Sequence, residues 1–150
     1  MPASAADTLT VLAVSSGSLG FSSAPASASL GLVDPGSAAS ITLHGITVSD
    51  SRAGTSGWSA SVTLTDITGD ATGAALSAAG AIYTPTAATT TGTVAVTANT
   101  ATDPTTTRIV QTATGVSGNN TATWDAVLTV PVPNDAVVDT YTATLTYSIS

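Results

Sequence analysis

The chain has 150 residues and a formal net charge of −7: nine Asp, no Glu, no Lys and no Cys, with Arg52 and Arg108 as its two cations. Two cations cannot neutralise a run of phosphates, which argues against nucleic-acid binding and against attraction to an anionic lipid surface. The absence of Cys excludes a disulfide framework, thiol catalysis and thiolate metal sites. No apolar run approaches the roughly 20 residues of a membrane-spanning helix, so membrane insertion is not expected. A hydrophobic content of 43% supplies a core for one domain and argues against disorder. Abundant Thr and Val, with Lys and Glu missing, favour strands over helices.

Residues 1–7 read Met-Pro-Ala-Ser-Ala-Ala-Asp. Small residues of this kind resemble the neighbourhood of a signal-peptidase site, without the basic and apolar parts of a signal. The reading is a mature secreted chain; an ordinary Ala/Ser-rich tail is the alternative. Residues 1–7 are expected as a flexible N-terminal segment and residues 8–150 as one β-sandwich domain.

Residues 8–14 (Thr-Leu-Thr-Val-Leu-Ala-Val) predict a first strand that is apolar on both phases. Shorter strands are predicted at 19–22 and 29–33, the latter before an Asp34-Pro35-Gly36 turn. Over 41–49, Ile41 and Leu43 share one face, and Ile46 and Val48 share one face. The step between the pairs is odd, so a β-bulge at His44-Gly45 is needed to bring both to the core. Residues 57–65 alternate: Trp58, Ala60, Val62 and Leu64 point one way, Ser59, Ser61, Thr63 and Thr65 the other.

Residues 66–80 are rich in turn formers. Strands are predicted at 81–84, 93–98 and 108–113, with loops over 86–93 and 99–107. Asn119-Asn120-Thr121 fits the glycosylation acceptor pattern, and its place after Gly118 predicts a hairpin turn. Trp124, Ala126, Leu128, Val130 and Val132 form one stripe; Pro131 and Pro133 predict that its end lies at a sheet edge or is unpaired. Tyr141, Ala143, Leu145, Tyr147 and Ile149 form another. Short strands with frequent turns predict an all-β, antiparallel β-sandwich, immunoglobulin-like or jelly-roll-like.

His44 is the sole histidine, and no Gly-x-Ser-x-Gly elbow accompanies it, so a structural or surface role is expected. Asp66 and Asp70 flank a turn and, with loop carbonyls, could supply part of a calcium shell. Asp in a turn more often caps its own backbone. No catalytic residues and no cofactor are expected, calcium being the one candidate ligand. Trp58, Trp124 and Tyr147 are the candidates for stacking on a sugar ring. Their place on the apolar phase makes core packing the expected role.

Two segments resemble the WxL domain of Gram-positive surface proteins. The first, within residues 46–65, reads Ile-Thr-Val-Ser-Asp-Ser-Arg-Ala-Gly-Thr-Ser-Gly-Trp-Ser-Ala, similar to the family's Asp-x-Arg followed by Gly-Trp-x-Leu. The second, within residues 128–149, carries Val-Pro-Val-Pro at 130–133, Tyr-Thr-Ala-Thr-Leu-Thr at 141–146 and Tyr147-Ser148-Ile149 in place of the second Trp-x-Leu. Ala60 stands where the family has Leu, and Asp139 where it usually has Gly. The resemblance implies a β-sandwich and non-covalent attachment to a cell wall. The expected function is a secreted, non-catalytic cell-surface domain with cell-wall glycan as partner. The alternative is a structural subunit that polymerises with like subunits, as a filament or surface layer, through β-strand contacts.

Overall fold

A computed structural model describes residues 11–150. The described residues form ten strands and no helix. They are β1 (Leu19–Ser23), β2 (Ala38–Asp50), β3 (Trp58–Leu64), β4 (Ile67–Gly69), β5 (Ala75–Leu76), β6 (Ile82–Pro85), β7 (Thr89–Ala98), β8 (Arg108–Pro131), β9 (Tyr141–Thr142) and β10 (Leu145–Ile149). The protein is an all-β antiparallel sandwich with a nearly closed, barrel-like main sheet. That sheet runs β1-β2-β8-β3-β10, with β6 and β7 on the other flank of β8; β5-β4-β9 form a small second sheet.

The 24-residue β8 belongs to both layers. Its first part pairs with β3, from Arg108 opposite Val62 to Ala113 opposite Trp58. Its second part pairs with β2, from Asn120 opposite Asp50 to Pro131 opposite Ala38. Between these stretches neither strand pairs on that flank, and there Gly115 and Gly118 take φ of 61° and 74°. Positive φ is cheap for glycine, so the strand can turn a corner without reversing. β7 follows it around the corner as the other half of a long hairpin.

The core fills the space between the layers. β3 alternates buried and half-buried residues along its whole length. Trp124, Tyr83, Ile46, Val48, Val62 and Val110 are fully buried. The aromatic rings interlock across the layers: Phe21 packs on Trp124 at 6.3 Å and on Tyr147 at 5.5 Å, and Tyr83 meets Tyr147 at 6.5 Å. The Trp124 indole N–H donates to the Tyr83 hydroxyl at 3.2 Å. Burial, reinforced by the neighbouring Tyr147 hydroxyl, pushes the Tyr83 phenol far above its ordinary range. A smaller cluster of Leu64, Ile67, Ala78 and Ala81 lies under the second sheet.

The expected bulge is present. Leu43 pairs with Ala126 and Ile46 with Trp124, so β2 carries one extra residue, and Gly45 sits there at φ 70°. Other expectations are corrected. Of the strand over 8–14, residues 8–10 lie outside the described residues, and residues 11–14 join no sheet. Residues 29–33 form no strand, because Gly31 at φ 81° breaks their extension. The loop over 86–93 is largely strand: its threonines suit a pleated surface and pair with β8 from Thr89 onward. The hairpin at 118–120 is instead the corner of one continuous strand. Pro131 pairs with Ala38 on one flank of β8, while on the other flank the expected unpaired end is present. The pairing of β8 with β6 stops at Thr129, so on that flank the missing amide has nothing to bond. The stripe over 141–149 is split, since β9 joins the second sheet and β10 the main one.

Trp124 is 2% exposed, with its ring against Phe21 and its indole N–H on the Tyr83 hydroxyl. Trp124→Ala is expected to cost about 3–5 kcal/mol, read as a lower urea midpoint at unchanged m-value. A loss below 1 kcal/mol would mean that the ring is not the centre of the core.

Candidate functional site

The two strand ends at the corner, Asp50 of β2 and Trp58 of β3, are joined by residues 51–57. Asp50 is 2% exposed, and a buried carboxylate is costly unless a cation and hydrogen bonds satisfy it. Arg52 supplies both. Its Nε donates to one carboxylate oxygen at 2.9 Å and its terminal nitrogen to the other at 2.9 Å; its own amide also donates to Asp50, at 3.1 Å. The same terminal nitrogen reaches the carbonyls of Ser56 and Gly57. Arg52 therefore holds the Asp50 carboxyl below the usual carboxylate range.

Asn120, also buried, continues the network into β8. It accepts from the Trp58 indole N–H at 3.3 Å and donates to Asp50 at 3.4 Å and to the Gly118 carbonyl at 3.2 Å. Two further bonds fasten the 51–57 loop against the bend: Ala53 N–H to Asn119 Oδ1, and Gly118 N–H to the Gly54 carbonyl. The Asp-x-Arg and Gly-Trp residues thus act together as a staple at the corner.

The aromatic candidates are placed in the packing. Trp58, at 3% exposure, and Trp124 present no ring face to solvent; they pack in the core, as their phase implied, and not as sugar platforms. Tyr147 is half-buried against the same cluster. His44 is exposed at the bulge. Its Nδ1 lies 3.0 Å from Asp125 Oδ2, while Asp125 Oδ1 accepts the Gly45 amide at 2.9 Å. That amide first, and His44 second, lower the Asp125 carboxyl. The pair closes the bulge, and among the described residues the His44 ring has no other hydrogen bond.

Asp66 and Asp70 flank β4, both exposed. Asp70 accepts from the Thr142 hydroxyl at 2.9 Å. Among the described residues no group of three His, Asp or Glu side chains converges as a metal site. The organising carboxylate at this end is Asp139. It accepts from the Thr72 hydroxyl at 2.6 Å, from the amides of Thr72 at 2.8 Å and Ala71 at 3.1 Å, and from Thr140 N–H at 2.7 Å. Its pKa falls from the ordinary 3.8 to about 2, chiefly through Thr72. Sequence reasoning missed this role: the signal was Asp139 itself, but its partners lie far away along the chain.

The outer surface is made of hydroxyls. Thr47 bonds Thr123 at 2.9 Å, Ser40 bonds Thr129 at 3.2 Å, and Thr91 bonds Thr121, each pair bridging adjacent strands. β7 is the outermost strand of this face. Among the described residues, β8 is its sole hydrogen-bonded neighbour. Compared with known protein families, with curated proteins and with solved structures, the chain matches none.

Two outcomes test the staples. Arg52→Ala leaves the Asp50 carboxylate buried without its cation and is expected to cost about 3 kcal/mol, the low end for a buried pair because the Arg52 side chain is 31% exposed. In that variant protonation relieves Asp50, whereas in the parent the depressed pKa means stability is lost as pH falls. The gap in unfolding free energy should therefore narrow below about pH 4; a gap independent of pH would contradict the pairing. For Asp139, the lowered pKa contributes stability above pH 3.8 that is lost as pH falls toward 2. The protection of the Ala71 and Thr72 amides, taken relative to their intrinsic exchange rates at each pH, should fall across that window in the parent. It should already be low, and unchanged with pH, in Asp139→Asn.

Proposed function

We propose that this chain is a non-catalytic domain of a bacterial cell surface that associates with cell-wall glycan and is related to the WxL type. The observation that carries the reading is that the two segments of the resemblance, far apart in sequence, are paired neighbours. Val62 lies opposite Tyr147 and Ala60 opposite Ile149. The departures from the family pattern keep their phase: Ala60 is fully buried, and Tyr147 and Ile149 pack against the core. The Asp-x-Arg and Gly-Trp residues share one buried network. This gives the motif a physical reason to occur as a unit.

The test is co-sedimentation with purified Gram-positive cell walls. Depletion from the supernatant is expected, by folded protein and not by heat-unfolded protein. Wall polyphosphates and a chain of charge −7 repel. Binding should therefore persist after the polyphosphates are stripped and should strengthen with added salt. No depletion from either wall preparation would overturn the glycan reading.

A second reading, a subunit that assembles with its own kind, is favoured by β7. The ten residues of this edge strand carry no charge and no proline, the usual means by which edges are protected.

A further inference from the structure

Among the described residues β7 pairs along one side alone, and its other edge has a counterpart in the same chain. Residues 11–14, Val-Leu-Ala-Val, join no sheet, and Val11, Leu12 and Val14 are 80%, 89% and 77% exposed. Apolar side chains on both phases are what a strand carries when both its faces are to be covered. Here neither face is covered by the described chain. The segment leaves the body at the corner, where the Gly17 amide bonds the Ser51 carbonyl beside β1. β7 lies on the far side of β2 and β8, three strand spacings or about 14 Å away across the sheet.

The distribution of charge matches the two elements. No charged residue occurs between Asp7 and Asp34, or between Asp70 and Asp103. The apolar segment and the edge therefore both lie in uncharged stretches of a chain that is otherwise strongly acidic. Neither element itself carries a carboxylate into the contact.

We propose that residues 11–14 of one copy add as a strand to the free β7 edge of a second copy. The inference rests on the assembly reading and names its donor and acceptor. Main-chain hydrogen bonds to β7 supply the attraction, and the added strand places Leu12 and Val14 on one face of the extended sheet and Val11 on the other. Donor and acceptor are different surfaces, so the contact is head-to-tail and continues into an open chain of subunits.

Sedimentation velocity over a range of concentrations tests this with three samples. The full chain should form species larger than a dimer as concentration rises. Leu12→Asp/Val14→Asp lacks the donor and alters only exposed residues, and Thr93→Lys/Ala95→Lys blocks the acceptor with edge charges. Each should stay monomeric alone. Their equal mixture retains one working donor and one working acceptor per pair and should stop at dimers. Should Thr93→Lys/Ala95→Lys fail to fold, the donor variant alone decides. A full chain that stays monomeric at every concentration overturns both the assembly reading and this inference. Assembly that survives in Leu12→Asp/Val14→Asp overturns the inference while leaving assembly, through some other surface, intact.

Discussion

The fold turns on one buried carboxylate. Asp50, at 2% exposure, ends β2 inside the protein, where an unpaired charge would cost several kcal/mol. Its cation is two residues further along the chain, so the backbone must double back at once for Arg52 to reach it. That constraint shapes the 51–57 loop, which Arg52 also grips through Ser56 and Gly57. The loop then occupies the flank of β8 that β2 has left and β3 has not yet reached. Because that flank is filled, β8 can pass from one layer to the other as a single strand. The two layers of the core follow from this corner.

Elements decided by local pattern were legible in the sequence. The alternation of β3 survives because one face of a half-buried strand must be apolar wherever its neighbours sit. The bulge at His44-Gly45 was legible because an odd step between two apolar pairs has few other resolutions. The continuity of β8 was not. Gly118-Asn119-Asn120 carries the residues of a tight turn, and a glycine at positive φ serves a turn or a bend equally well; the distinction is made by the loop packed against it. β7 was half-hidden for a related reason: its first residues are Thr and Gly, with no apolar alternation to mark them, and their partners lie in β8.

The candidate site was legible to the same degree. Phase alone placed Trp58 and Trp124 in the core. The motif contained Asp50 and Arg52, but nothing in the sequence said that Asp50 is buried. Asn120 was masked by a glycosylation pattern, although its side chain is committed to Trp58 and Asp50. Asp139 gathers partners from residues 71 and 72, a pairing that no local rule anticipates.

An uncharged edge in a protein without lysine ought to invite unlimited sheet stacking, yet the edge has its own limits. β7 departs from regular register with β8 twice, between Thr91 and Thr93 and between Thr93 and Ala95, and it bends with β8 around the corner. A long flat strand cannot follow such an edge in register, which works against the continuous templating of a fibril. A short extended segment can dock beside the irregularities, on the regular stretch from Ala95 to Ala98. The acids add a second limit. Asp34, Asp66, Asp70, Asp135 and Asp139 lie in the turns around the second sheet, at the end opposite the corner, where the Asp70 amide bonds Thr140 and the Gly36 amide bonds Val132. Screened beyond roughly 8–10 Å in physiological salt, they leave the neutral edge free while keeping like ends of two molecules apart. The bend that builds the core thus also determines what kind of strand the edge can accept.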